Sequence, residues 1–150
     1  MRCVMLASNR FFILVAFLLS VILTGCTITI VSAYDEVTDK SVTQLQRDVE
    51  SFFVGIESKS GLPECTYESN KGFYEKAKVD ISAIEVRARA VPNNDITIKQ
   101  IELLNDSLKK LETLHKIRCF DEDTVAPLRS SFNSSFTSIL KFELAKKRGE

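Results

Sequence analysis

Turn signals are scarce in most of the chain, which contains only 5 glycines and 3 prolines in 150 residues. Gly61-Leu62-Pro63, Val91-Pro92-Asn93-Asn94 and the polar stretch 118–123 divide the sequence after residue 37 into four segments. Each segment repeats apolar residues at alternating steps of three and four, which is the period of one helix face. None shows the alternation of apolar and polar residues that is typical of a half-buried strand. The pattern therefore predicts a chain built from four helices.

The four predicted helices are each about 20 residues long, or about 30 Å. Their expected bounds are Thr38–Lys59, Asn70–Val91, Asp95–Ile117 and Thr124–Lys147. Ser41-Val42-Thr43-Gln44 and Thr97-Ile98-Lys99-Gln100 match the capping-box pattern near two of the starts, with Asp39 as an alternative cap in the first helix. Pro127 is expected in the first turn of the fourth helix, where proline is tolerated.

Each helix carries one apolar stripe, so each needs neighbours that cover it. With short connections, the favoured fold is all-α: an antiparallel, up-down-up-down four-helix bundle. The predicted core positions are Val42, Leu45, Val49, Phe52, Phe53 and Ile56 in the first helix; Phe73, Ala77, Ile81, Ile84, Ala88 and Val91 in the second; Ile101, Leu104, Leu108 and Leu111, with Leu103 and Leu114 beside them, in the third; and Val125, Leu128, Phe132, Phe136, Ile139 and Leu140 in the fourth.

The N-terminal segment has the pattern of an export signal. Arg2 and Arg10 precede an uncharged apolar run, residues 11–23, which has the length of a signal-peptide core. Positive charge before such a run keeps that end in the cytoplasm, so the residues after it are expected to be exported. The first charges beyond the run, Asp35 and Glu36, agree with this orientation.

The run ends in Leu23-Thr24-Gly25-Cys26, which resembles the lipobox of bacterial lipoprotein precursors. The resemblance covers residues 1–26 only and implies a cleaved signal peptide, residues 1–25, and diacylglycerol and acyl chains on Cys26. A tether, 26–37, and a helical domain, 38–150, would follow. Thr27 after the cysteine implies the outer membrane facing the periplasm, with the inner membrane as the alternative. The absence of charge continues to Ala33, so an uncleaved transmembrane anchor from Phe11 to Ala33 remains a second interpretation.

The resemblance to a lipobox also indicates the state of each of the four cysteines. If Cys3 leaves with the signal peptide and Cys26 carries lipid, Cys65 and Cys119 remain, and in an oxidising compartment they are expected to form a disulfide. In the predicted bundle both lie in connections at the same end, so the pairing is geometrically available. Free thiols or metal ligands are the alternative, although one histidine and no CxxC spacing argue against zinc.

Charge and composition exclude several classes of partner. The chain has 20 basic and 20 acidic residues, and removing Arg2 and Arg10 with the signal leaves an excess of two negative charges. Without a strong positive field, nucleic-acid binding is not expected. Phosphate-binding glycine loops and nucleophile motifs do not occur in the sequence, so we predict no enzyme activity, no cofactor and no metal.

Individual polar residues have structural interpretations beside functional ones. The only histidine, His115, is a possible base or metal ligand, but its place beside a core stripe favours a packed side chain. Asp80 and Arg87 are candidates for pairing across the bundle or with a partner. The serines of the fourth helix favour packing and solvation over a polar site; they are Ser130, Ser131, Ser134, Ser135 and Ser138.

Aromatic residues concentrate near the end that holds the two cysteines. They are either a core lid over the disulfide or an exposed docking patch for another protein. The possible partner surface consists of Phe53, Tyr67, Tyr74 and Phe120, with Phe52 and Phe73 nearby.

These patterns favour a membrane-anchored, non-catalytic protein that binds an envelope protein or acts as a scaffold. The partners would be the membrane, through the acyl chains on Cys26, and an unidentified envelope protein. Lys146, Lys147 and Arg148 are expected at the membrane-facing end, near anionic headgroups. A binder of a small apolar ligand between the helices is the alternative, which requires an interior cavity. An envelope hydrolase is a third and weaker interpretation.

Overall fold

The computed structural model describes residues 31–149, all of whose regular structure is helical. Four long helices follow one another: α1, Glu36–Ser58; α2, Tyr67–Ala90; α3, Asp95–Ile117; and α4, Glu122–Gly149. A short 3-10 helix, Pro63–Cys65, lies in the connection between α1 and α2. The proposed signal sequence and Cys26 lie outside the described residues.

Each helix packs against two neighbours, in the cyclic order α1, α2, α3, α4 and back to α1. This arrangement confirms the predicted up-down-up-down four-helix bundle. The start of α1, the α2–α3 connection and the end of α4 form one end, which we name the proximal end because the chain enters there. The other end, which holds Cys65 and Cys119, is the distal end.

The predicted stripes form the core. Nearly all of these side chains are less than a tenth exposed, and they join one cluster with Tyr74, Cys65 and Phe120. Phe73, Leu128 and Leu140 are half-buried against this cluster, whereas Val91 lies outside it and Leu103 and Leu114 are exposed. At about 25 cal/mol per Å² of apolar surface, each fully buried Leu, Ile or Phe contributes about 1.5–3 kcal/mol to folding.

The helix starts differ from the capping-box predictions. Asp35 is the N-cap of α1, where its Oδ1 accepts a hydrogen bond from the N–H of Val37 at 3.4 Å. Asn94 occupies the N-cap position of α3. Ser41 and Asp39 therefore lie inside α1, and Thr97 lies inside the first turn of α3, so all three predicted caps are wrong.

The fourth helix begins earlier than expected. Asp121 precedes it and accepts a hydrogen bond from the N–H of Thr124 on its Oδ1, at 2.9 Å. Pro127 consequently lies in the second turn rather than the first. A proline there removes one intrahelical hydrogen bond, and both Pro127 and Asp123, whose carbonyl loses its donor, are exposed residues.

Candidate functional site

The distal end joins the two loops that the cysteines occupy. Cys65 and Cys119 lie at disulfide distance, with Cα atoms 5.5 Å apart, which confirms the predicted pair. Cys65 is fully buried and Cys119 is half-buried. This cross-link holds the start of α2 beside the end of α3.

His115 lies directly beneath that cross-link and is only 2% exposed. Its Nε2 lies 2.7 Å from the carbonyl oxygen of Cys65, and its Nδ1 lies 2.8 Å from the hydroxyl of Tyr74. A carbonyl only accepts hydrogen bonds, so Nε2 carries the proton and Nδ1 accepts from the Tyr74 hydroxyl. Burial lowers the pKa of His115 and raises that of Tyr74, so both are neutral. His115 is therefore the packed residue that the sequence predicted.

Burial of the distal aromatics contradicts a docking patch made of these residues. Phe53 and Tyr74 are 0% exposed and Phe120 is 1% exposed, because each side chain points between the helices. Phe120 stacks on the His115 ring with centroids 4.7 Å apart. The structure thus supports the core alternative for these three, and only Tyr67 of the predicted set is partly exposed.

Tyr67 belongs to a polar group between α2 and α3. Its hydroxyl donates to Glu112 Oε1 at 2.9 Å, and Lys78 contacts the other carboxylate oxygen at 2.7 Å. Burial raises the pKa of Glu112, but the hydrogen bonds from Lys78, Tyr67 and Lys116 outweigh it and lower this pKa to about 2. These partners leave Glu112 an ionised structural link, not a proton donor near neutral pH.

The neutral His115 gives the bundle a specific pH dependence. The unfolded chain protonates this histidine near pH 6.5, whereas the folded chain does so only at lower pH. The unfolded state therefore binds more protons as pH falls below about 6.5, and stability is lost by at most about 1.4 kcal/mol per pH unit. Urea unfolding between pH 7 and 5 should show this slope, and His115→Gln should remove it. A slope that persists in the variant would assign the effect to carboxyl groups instead.

The proximal end contains a second buried polar group, which we name the clasp: Ser32, Asn94, Thr97, Glu143 and Lys146. The Lys146 ammonium donates to Asn94 Oδ1, Thr97 Oγ1 and Glu143 Oε1 at 2.7, 2.8 and 2.6 Å. The Ser32 hydroxyl donates to Asn94 Oδ1 at 2.9 Å, and its N–H donates to the carbonyl of Asn93 at 3.0 Å. The clasp thus ties α4, the α2–α3 connection and the entering chain together.

A salt bridge beside the clasp fixes the start of α1. Arg87 donates from Nε and Nη2 to the two oxygens of Asp35, each at 2.9 Å, and Thr38 donates to Asp35 Oδ2 at 2.7 Å. The hydrogen bonds from Arg87 hold the pKa of Asp35 well below its usual range. Arg87 therefore pairs across the bundle, which was one of the two alternatives predicted for it. Asp80 pairs locally with Lys76 at 2.7 Å.

The place of Lys146 corrects the prediction for the basic C-terminal residues. Its side chain is 2% exposed, and its ammonium lies 4.8 Å from the Phe142 ring centroid. It is therefore unavailable to lipid headgroups in this conformation. Lys147 and Arg148 are exposed, with the Lys147 ammonium 5.0 Å from the Tyr34 ring centroid.

The outward face of α2 is apolar, which the sequence interpretation missed. Val79 and Val86 are each 68% exposed, and Ala83 lies between them on the same side. The three residues line a groove of about 570 Å³ together with Lys78 and Ser82. Their spacing of four and three is itself a helical stripe, and it lies opposite the buried stripe that contains Ile81 and Ile84. A second apolar stripe on one helix was the signal that could have revealed it.

The outward face of α4 is polar by contrast. Ser134 and Ser135 donate to carbonyls one turn earlier in their own helix, and Ser138 accepts a hydrogen bond from Gln100 of α3 at 2.9 Å. Most of these serines face solvent. Their placement agrees with the predicted packing and solvation.

Within residues 31–149, no three His, Cys, Asp or Glu side chains are placed to hold a metal ion. In the same part of the chain, none of the helices is long and apolar enough to cross a bilayer. Comparison with known proteins gives no match: no family model, no curated protein and no solved structure is significantly similar to this chain.

Proposed function

We propose that this protein is a membrane-anchored, non-catalytic module of the bacterial cell envelope that binds another envelope protein. The anchor is the lipid on Cys26, expected in the outer membrane facing the periplasm. Two features of the described residues support the proposal: the chain is fixed to the bundle from Ser32 onward, and α2 presents an apolar outer face. The second feature carries the protein-binding role.

The outer α2 face has the properties of a helix-binding surface. Val79 and Val86 are among the most exposed large apolar side chains of the described chain, in a bundle whose core is already formed by other residues. Aligned exposed apolar residues with a polar surround are typical of protein interaction sites. Ala83 between the valines has a short side chain, so a partner helix is able to approach the α2 backbone closely.

Charge around this face favours an amphipathic helix as the occupant. Glu75 and Lys78 flank the stripe on the side towards the distal end, and Glu85 and Arg89 flank it towards the proximal end. Lys78 pairs with Glu112 and Arg89 with Glu85, each at 2.7 Å, so these edges carry charges of both signs in fixed positions. A partner helix with an apolar stripe and charges of both signs on its edges complements this pattern, as in helix-in-groove recognition. Matching edge charges contribute mainly to the choice and orientation of the partner.

The polar groups of the bundle argue for a non-catalytic role. Both ring nitrogens of His115 are occupied by internal hydrogen bonds, and Glu112 is held ionised by its neighbours. A general base must instead reach a substrate proton and have a pKa near the working pH. Neither side chain meets these requirements, so a hydrolase has no supporting observation.

The alternative of a small apolar ligand between the helices has weaker support. Its cavity would be lined by stripe residues such as Leu45, Ile81 and Leu108, and these pack into the single core cluster. The clefts at the surface are instead lined mainly by exposed or half-buried residues, and each of two of them reaches one buried side chain, Phe52 or His115.

Photo-cross-linking in intact cells tests the proposed surface. A benzophenone amino acid at Val79 or Val86 should cross-link an envelope protein, and the same group at Thr137 on the outer face of α4 should not. Adding Ala83→Glu to the Val79 probe should abolish the adduct, because a charge then enters the apolar stripe. Equal adducts at Val79 and Thr137, or adducts only with a second copy of the chain, would refute binding of another protein at this face.

A further inference from the structure

The proximal end contains an exposed apolar rim in addition to the clasp. The rim consists of Val31, Val37, Ile96 and Leu144, which are 37%, 52%, 52% and 46% exposed. They come from the entering chain, α1, α3 and α4, so the rim is spread over the end of the bundle. Lys40, Lys147 and Arg148 lie exposed in the same terminal turns, as do Glu36 and Asp95, and Lys40 pairs with Glu36 at 2.8 Å.

The length of chain before the bundle decides what covers this rim. The hydrogen bonds of Ser32 to Asn93 and Asn94 fix residue 32 to the bundle. Only residues 27–31 separate Cys26 from that point, and a fully extended chain from residue 26 to residue 32 spans about 20 Å. The free tether is therefore much shorter than the 26–37 segment expected from sequence. An uncleaved anchor ending at Ala33 would leave no free tether.

From this geometry we infer that the proximal end rests on the lipid bilayer, with the rim side chains in the interfacial layer. This inference depends on the proposed membrane anchor at Cys26. The headgroup layer is about 5–7 Å thick on each side of the bilayer. A short tether therefore keeps the rim side chains close enough to enter this layer. The exposed apolar side chains of the rim provide the contact with that layer, and Lys147 and Arg148 beside Leu144 add the basic charge that is typical of such surfaces.

The inferred contact sets the orientation of the bundle. The helices run away from the membrane, since their ends form the rim and the clasp joins the entering chain to the start of α3 and the end of α4. A helix as long as α1 extends about 35 Å. The distal end then points away from the bilayer. The outer face of α2 runs along the helix axis and therefore stands roughly at right angles to the membrane plane.

Tryptophan fluorescence in the intact lipoprotein tests this orientation. The chain contains no tryptophan, so a single introduced one reports only its own position. Val37→Trp and Val54→Trp form a matched pair, because both sites are on α1 and are 52% and 54% exposed. They are about 25 Å apart along the helix. Ile96→Trp is a second reporter on the rim.

The full chain is expressed with its own signal, labelled with palmitate, and reconstituted into phosphatidylethanolamine–phosphatidylglycerol vesicles with brominated acyl chains. We expect Val37→Trp and Ile96→Trp to be quenched at least about two-fold more than Val54→Trp, since bromine quenches at contact and Val54 lies far from the rim. Equal quenching at all three sites, or stronger quenching at Val54, would overturn the inferred contact. Palmitate incorporation that is unchanged by Cys26→Ser would separately refute the lipid anchor.

Discussion

Replacing Lys146 by methionine is expected to lower the free energy of unfolding by about 3–5 kcal/mol, the cost of leaving a buried charge without its partner. Lys146 and Glu143 have side chains that are 2% and 1% exposed, and the ammonium is bound by three oxygens. Methionine preserves most of the side-chain length while it removes the charge. Urea unfolding followed by far-ultraviolet circular dichroism measures the effect.

The structure makes the loss of Lys146 especially costly because Glu143 is already incompletely satisfied. Its Oε2 is buried without a hydrogen-bond partner among the described residues, and its Oε1 also accepts from Thr97 at 2.8 Å. Without the ammonium, the carboxylate must remain charged in an apolar environment or take up a proton, and either change costs free energy. Asn94 loses one of its partners at the same time, which weakens the attachment of Ser32.

Lys147→Met is the matched control, since it removes the same charge from the next residue, which is exposed. Its effect should stay within about 0.5 kcal/mol. The double change Glu143→Leu and Lys146→Met should be less destabilising than Lys146→Met alone, because it leaves no unpaired buried charge. If Lys146→Met and Lys147→Met have equal effects, the ion pair is solvated and the clasp does not hold the proximal end.

The sequence predicted the helices well because their stripes and boundaries agree. For α3 the predicted and observed bounds are the same, Asp95–Ile117. Here Pro92 and the asparagines that follow it interrupt the chain on one side, and polar residues do so on the other. The other helices differ by a few residues at their ends. Caps could not be assigned from motif matches, because Asp35 and Asn94 offered competing polar side chains just upstream.

The sequence did not predict the clasp, because only apolar residues were counted in the predicted core stripes. In α4 the spacing Phe132, Phe136, Ile139 continues to Glu143 and Lys146 at the same steps of four and three. In α3 the stripe likewise extends back to Thr97 and forward to His115. Periodicity therefore places these polar residues inside the bundle. It does not show which of them meet, since that depends on how the helices are aligned with one another.

For the distal aromatics, the sequence predicted the location but not the burial of each side chain. Their sequence positions placed them correctly at one end, but position along a helix does not show whether a side chain points inward. Tyr74 lies one residue from Phe73, yet Tyr74 is fully buried and Phe73 is only half-buried. The hydrogen bond of Tyr74 to His115 allows its hydroxyl to be buried, and this partner comes from another helix.

Replacing both Cys65 and Cys119 by serine is expected to lower the free energy of unfolding by about 4 kcal/mol in the chain-entropy model of a cross-link. The two cysteines are 54 positions apart, so the bond closes a long loop in the unfolded chain. The helices should remain, because His115 and Tyr74 hold the distal end through their own hydrogen bonds. Circular dichroism in water should therefore be unchanged, while the urea midpoint falls.

The dependence of stability on urea concentration separates the two ways in which the cross-link can act. If the disulfide mainly restricts the unfolded chain, its removal lets that chain expand, and the slope of unfolding free energy against urea becomes steeper. Reducing agent should bring the wild-type protein to the same midpoint and leave the double serine variant unaffected. A lower midpoint with an unchanged slope would place the effect in the folded state instead, where the bond would hold α2 and α3 together at the distal end.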